Sequence, residues 1–168
     1  MPKVLSEKQV DHFHREGFIT PIPVLSEDEV AKYRVQLEAF EAKFPDDRRK
    51  LKSKSHLLCP WVDEMARNDR ILDVYEDLIG PNILCYSMAF RIKEPDGKTF
   101  AGWHQDGAYN PIKPILAIGA LALSECSVST GCLNVIPGSH KGGTLPHEDT
   151  GDPDSILSRG QYLSLIHI

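Results

Sequence analysis

Apolar residues recur at helical spacing through the first half of the chain and at strand spacing through much of the second. Ser6 with Gln9, and Ser26 with Glu29, fit the capping box, in which a serine side chain takes up an orphan backbone N–H. The first pair opens a short helix that is expected to end near Gly17. After Ser26, the residues Val30, Tyr33, Leu37, Phe40 and Phe44 fall on one face of a longer helix. The charged run "FPDDRRKLKSKS" reads as an exposed loop with a solvated basic half. Asp69 is the expected cap of a further helix, carrying Ile71, Leu72, Tyr75, Leu78 and Ile79, which Gly80-Pro81 stops.

The period then changes. Across residues 83–93 the larger apolar side chains Leu84, Tyr86, Met88, Phe90 and Ile92 alternate with smaller or polar ones, the mark of a strand with two distinct faces. "EPDG" is a turn, and another strand leads into Trp103-His104. "PILAIGALAL" is apolar on both faces and reads as a central strand of a packed sheet. "CLNVI" is a short strand ending at "PGSH". Helices first and strands later predict an α+β chain whose sheet is incomplete at residue 168.

Composition narrows the function classes. At 168 residues the chain has one-domain length, and its 24 acidic against 19 basic side chains include no cluster able to track a phosphate backbone. Nucleic acid is therefore not an expected partner. The N-terminus has no apolar run of signal-peptide length, and no later run reaches membrane-spanning length, so no membrane partner is expected. The four cysteines form no C-x-x-C pair. Reduced thiols in a cytoplasmic compartment fit best, with Cys126 and Cys132 expected as buried structural residues. None of this bears on oligomeric state.

The candidate chemistry lies in "FAGWHQDGAY". On a strand, residues i and i+2 project from one face, so His104 and Asp106 can offer an imidazole nitrogen and a carboxylate oxygen to one cavity. Those are two of the three ligands of a 2-His-1-carboxylate triad for iron(II). Alone, H-x-D is a weak signal, and a histidine bonded to a turn aspartate explains it equally well. Its surroundings add weight. "GWHQD" followed by "GCLNVIPGSHKGGTLPH" resembles the phytanoyl-CoA dioxygenase family of iron(II)- and 2-oxoglutarate-dependent oxygenases. "LSEKQVDHFHREGFITPIPVLSEDEV" is similar to that family's opening, and "HLLCPWVDEMARNDRILDVYEDLIGPNILCYSMAFRIKEP" to the segment before its metal strand.

The resemblance implies a double-stranded β-helix, a jelly roll with N-terminal helices packed on it. It implies His104 and Asp106 as iron ligands, with 2-oxoglutarate and dioxygen as co-substrates in the hydroxylation of a small organic molecule. Tyr86, Lys93 and Asn134 are the candidates for contact with 2-oxoglutarate or substrate, although Lys93 reads equally well as a surface lysine. Trp103 and Tyr109 flank the pair and read more simply as packing. His140, in "PGSH", suggests a cupin-type ligand, but the upstream motif is H-x-D where cupins expect H-x-H. His147 is a weaker candidate still. The rival to the enzyme is a non-catalytic, cupin-like module that binds a small molecule or metal.

The second histidine ligand and a carboxylate-gripping arginine are expected beyond residue 168. The closing "LSLIHI" matches the translation of a transposon-end adapter. Residues 1–162 are thus expected to form a partial domain, residues 163–168 to be foreign to it, and the chain as given to be inactive.

Overall fold

The computed structural model describes residues 1–92, 97–110, 112–113 and 116–161. Two compact units divide the chain: Met1–Arg91 with Ala117–Pro137, and Ile92–Leu116 with the segment from Gly138 on.

The first unit is built on four helices. Both capping boxes form as expected: α1, Glu7–Glu16, opens on Ser6 and Gln9, and α2, Glu27–Lys43, on Ser26 and Glu29. In each box the serine oxygen accepts the N–H three residues on, while that residue's side chain accepts the serine N–H. Gly17 closes α1 in the left-handed region at φ 84°, where a Cβ is disfavoured, and its N–H reaches Phe13 O at 2.7 Å. A short helix that the periodicity did not announce, α3, spans Pro60–Ala66 with proline at its first position. The last helix, α4, covers Asp69–Ile79. Its cap is Asn68 and not Asp69: the Asn68 amide oxygen accepts the Arg70 N–H at 3.0 Å, which leaves Asp69 as first-turn acid.

The charged run after α2 corrects the expectation of a plain exposed loop. Residues Pro45–Lys52 form a 3-10 helix, and Leu51 within it is fully buried. Three residues per turn aim one side chain in three at the same face, so a single leucine among lysines and arginines can still be core. Leu51 packs with Cys59 and Val62, and Leu37, Phe40, Trp61, Met88 and Phe90 close around them. Ser55, also fully buried, is satisfied by donating its hydroxyl to Met88 O at 2.8 Å. His56 is half-buried and accepts the Met88 N–H at 3.3 Å.

Residues 83–92 are extended but form no ladder. Their main chain bonds to the 3-10 turns at Leu51 and Ser55, through Phe90 N–H to Leu51 O and Ser55 N–H to Met88 O, each at 2.9 Å. Met88 and Phe90 therefore turn into the core, while Leu84 stays 85% exposed. The segments 116–123 and 132–136 likewise show no strand, and Ile118 is 61% exposed, so the expected central strand is not formed among the described residues. A central strand needs a hydrogen-bonded neighbour on each side, and no described segment supplies one. Of the cysteines, none of which is disulfide-bonded, Cys59 is buried, whereas Cys126 is exposed and Cys132 only half-buried. No described helix is long and apolar enough to cross a membrane.

The second unit carries the short sheet. Strands β1, Glu148–Asp149, and β2, Arg159–Gly160, pair antiparallel with Glu148 opposite Gly160 and Asp149 opposite Arg159. The stretch leading to the H-x-D motif runs alongside this hairpin's second arm. Phe100 bridges to Ser155, with Phe100 N–H to Asp154 O at 3.1 Å and Ile156 N–H to Phe100 O at 2.9 Å. Gln161 N–H then reaches Trp103 O at 2.8 Å, one residue before the histidine. Gly160 is buried where a Cβ would lie 3.3 Å from Thr150 Cγ2 and 3.5 Å from Trp103 O, so a bare backbone lets the two arms close.

Candidate metal centre

His104 and Asp106 flank a single extended residue, Gln105, at φ −121° and ψ 123°. Immediately afterwards Asp106–Ala108 turns into a 3-10 helix, with Tyr109 and Asn110 N–H both donating to Asp106 O at 3.0 Å. The expected same-face pairing thus holds over one extended residue and does not need a full strand. His104 Nε2 and Asp106 Oδ1 lie 3.7 Å apart, too far for a direct hydrogen bond. Two donors with bonds of about 2 Å to a shared ion can lie up to about 4 Å apart, so this spacing fits a metal between them.

The tautomer of His104 favours the same use. Its Nδ1 sits 2.8 Å from Gly102 O. A carbonyl can only accept, so Nδ1 carries the proton and a neutral ring keeps its Nε2 lone pair toward Asp106. Metal-ligating histidines are set in this way by a backbone or carboxylate acceptor on the far nitrogen. The ring is three-quarters buried, while the aspartate carboxylate is 43% exposed, leaving an approach from solvent. Tyr109 packs edge-on against the imidazole, with ring centroids 6.1 Å apart.

The remaining candidates are found as follows along the chain. Tyr86 is an exposed side chain of the first unit with the Lys54 ammonium 5.5 Å from its ring centroid. Asn134 is exposed in the same unit. Lys93 lies outside the described residues, as does His167. His140 is exposed, on the 3-10 turn Ser139–Gly142. His147 is engaged at both nitrogens: Nδ1 is 2.8 Å from Leu145 O, and Nε2 accepts the Gln105 N–H at 3.0 Å. With one nitrogen protonated and the other's lone pair occupied, it cannot also ligate a metal. Among the described residues no group of three or more His, Cys, Asp and Glu side chains is placed to hold an ion. The pair supplies two donors, and a third must come from elsewhere.

Gln105 is the residue that sequence reasoning passed over, because alternation turns it away from its neighbours. Its side chain donates to Gly143 O at 2.9 Å and accepts from Leu145 N–H at 2.8 Å and Gln161 Nε2 at 3.0 Å. The only hint in the sequence is its place inside H-x-D. Gly143, whose carbonyl it meets, sits at φ 74° and ψ −173°, a conformation open essentially to glycine alone.

An imidazole and a carboxylate are thus held side by side, on a segment pinned to a small sheet. The model of the phytanoyl-CoA dioxygenase (PhyH) family matches residues 13–161, and the chain belongs to that family. Among curated proteins it is 32% identical over 111 residues to a probable alpha-ketoglutarate-dependent hypophosphite dioxygenase of Stutzerimonas stutzeri, covering 64% of this chain and 38% of that protein. It is 26% identical to the peroxisomal phytanoyl-CoA dioxygenase of Mus musculus, over 86% of this chain and 50% of the relative. It is 28% identical to the ectoine dioxygenase of Nocardia farcinica, over 80% and 51% respectively. The chain thus spans about two-fifths to one-half of the length of these relatives. No solved structure matches it.

Proposed function

We propose that the protein to which this chain belongs is an iron(II)- and 2-oxoglutarate-dependent dioxygenase that hydroxylates a small organic molecule, with His104 and Asp106 as two of its iron ligands. The observation that carries the reading is the 3.7 Å approach of His104 Nε2 to the Asp106 carboxylate, with Nδ1 of the same ring turned to Gly102 O. A nitrogen and a hard oxygen donor suit iron(II), and a carboxylate at the second position favours hydroxylation. When bound, iron with 2-oxoglutarate supplies the activation of dioxygen and releases succinate and carbon dioxide. This chain's residues do the positioning. Gly102 O holds the His104 ring in its ligating tautomer, Tyr109 limits the rotation of that ring, and the Asp106 carboxylate brings a negative charge to a site open to solvent.

The third ligand, a histidine, and an arginine for the distal carboxylate of 2-oxoglutarate are proposed to come from the part of the relatives' length that this chain does not span. Tyr86, Lys93 and Asn134 remain the proposed contacts for 2-oxoglutarate or substrate. The relatives are named for hypophosphite, phytanoyl-CoA and ectoine, so no substrate is proposed beyond the small-molecule class. The jelly roll is proposed for the whole protein on family membership. A two-donor site holds iron weakly, so the 168-residue chain by itself is expected to be inactive.

The test is succinate release from 2-oxoglutarate by the complete protein under air with iron(II). Wild type should release succinate, and His104→Ala and Asp106→Ala should each lose it by 100-fold or more. Release unaffected by both substitutions would refute the ligand assignment. Tight metal binding with no succinate would favour the binding module.

A further inference from the structure

We propose that His147 is a positioning residue for the metal pair, acting through the main-chain N–H of Gln105. The inference rests on the reading of His104 and Asp106 as ligands. Gln105 lies between them, so whatever fixes its two peptide planes fixes the directions in which both ligands leave the chain. Three of its hydrogen bonds, to Gly143, Leu145 and Gln161, hold only the side chain. Those could persist while the backbone rotated. On the main chain, Ala108 N–H donates to Gln105 O at 2.9 Å and holds the 105–106 peptide plane, while the bond from Gln105 N–H to His147 Nε2, at 3.0 Å, holds the 104–105 plane next to His104.

His147 is prepared for this task. Leu145 O takes its Nδ1 proton at 2.8 Å, which leaves Nε2 as an acceptor aimed at Gln105. Tyr109 stands edge-on to both imidazoles, with centroids 6.1 Å from His104 and 5.7 Å from His147. The two histidines divide the work: His104 meets the metal, and His147 sets the segment that carries it.

The experiment is a titration of the complete protein with Co(II) alone, read by affinity and by the visible spectrum of the bound ion, with apo-protein melting recorded for each variant. His147→Gln places an oxygen acceptor where Nε2 lies. His147→Leu keeps bulk without an acceptor, and His147→Asn keeps a polar side chain too short to reach Gln105. The Leu and Asn variants should bind Co(II) about 10- to 100-fold more weakly, the range of losses when groups orienting a ligand are removed. At saturation their Co(II) bands should change shape. The Gln variant should regain most of the affinity and the wild-type spectrum. Should Leu prove unable to fold, the contrast between Asn and Gln decides. Wild-type affinity and spectrum in Asn, or equal losses in Asn and Gln, would overturn the proposal. His104→Ala is the control for the underlying reading. If it binds Co(II) as wild type does, the metal pair itself is wrong. If it loses Co(II) while Asn does not, only the role of His147 falls.

Discussion

Single side chains in this protein take their roles from what surrounds them more than from type. Leu51 stands between lysines in sequence yet is fully buried against Cys59 and Val62. Leu51→Ala should cost about 2–5 kcal/mol, the usual penalty for emptying a packed leucine site, and chemical denaturation would show it as a lower midpoint at unchanged slope. A loss below about 1 kcal/mol would mean that the 3-10 turn reseats another side chain there. The candidate site was legible to the same limited degree. His104 and Asp106 could be read from spacing, because i and i+2 share a face over even one extended residue. The roles of Gly102, Gln105 and His147 could not, because a backbone carbonyl acceptor and a contact 42 residues away leave no local pattern.

Helix starts were the most readable elements, since a capping box is a four-residue code satisfied locally. Ser26→Ala removes the acceptor for Glu29 N–H and should destabilise the first unit by about 1 kcal/mol. The effect should appear as a lower melting temperature with no change in the spacing of His104 and Asp106. Contacts between elements were invisible by comparison. A Cβ at Gly119 would lie 2.6 Å from the Tyr75 hydroxyl oxygen of α4. Nothing in "PILAIGALAL" marks that glycine as a point of close approach. Gly119→Ala should therefore cost about 1–3 kcal/mol by overpacking. In the Tyr75→Phe background, which lacks the obstructing oxygen, most of that cost should disappear. A double-mutant cycle measures the difference, and additive losses would show that the hydroxyl is not the obstacle.

On the scale of the whole chain, the helical half was largely legible and the strands were not. Periodicity reports which residues want a buried face, but a strand exists only when a neighbour completes its ladder, and residues 83–92 and 116–123 find none among the described segments. Long-range order in the first unit comes in part from charge. Asp77 of α4 gathers the N–H groups of Lys3, Val4 and Leu5 at 2.6–2.9 Å, tying the N-terminus to a helix some seventy residues on. Burial alone would raise its pKa, but those three donors, with Lys3 nearby, outweigh it and hold the carboxyl below its usual 3.8. Glu29, against the Arg70 guanidinium and the Ser26 N–H, is pulled from 4.5 down to about 2. In both cases the folded state binds the proton more weakly than the unfolded chain, so stability rises with pH across the window. The contribution is complete above about pH 5 and fades as pH falls through the folded values. Asp77→Asn keeps the shape but not the charge, and near pH 7 it should cost on the order of 1 kcal/mol after solvent screening. Denaturation midpoints measured from pH 7 to pH 2 should show wild type and variant converging on the acid side. A gap that stayed constant down to pH 2 would mean that the loss comes from replacing one of the two accepting oxygens by an NH2 donor and not from the charge.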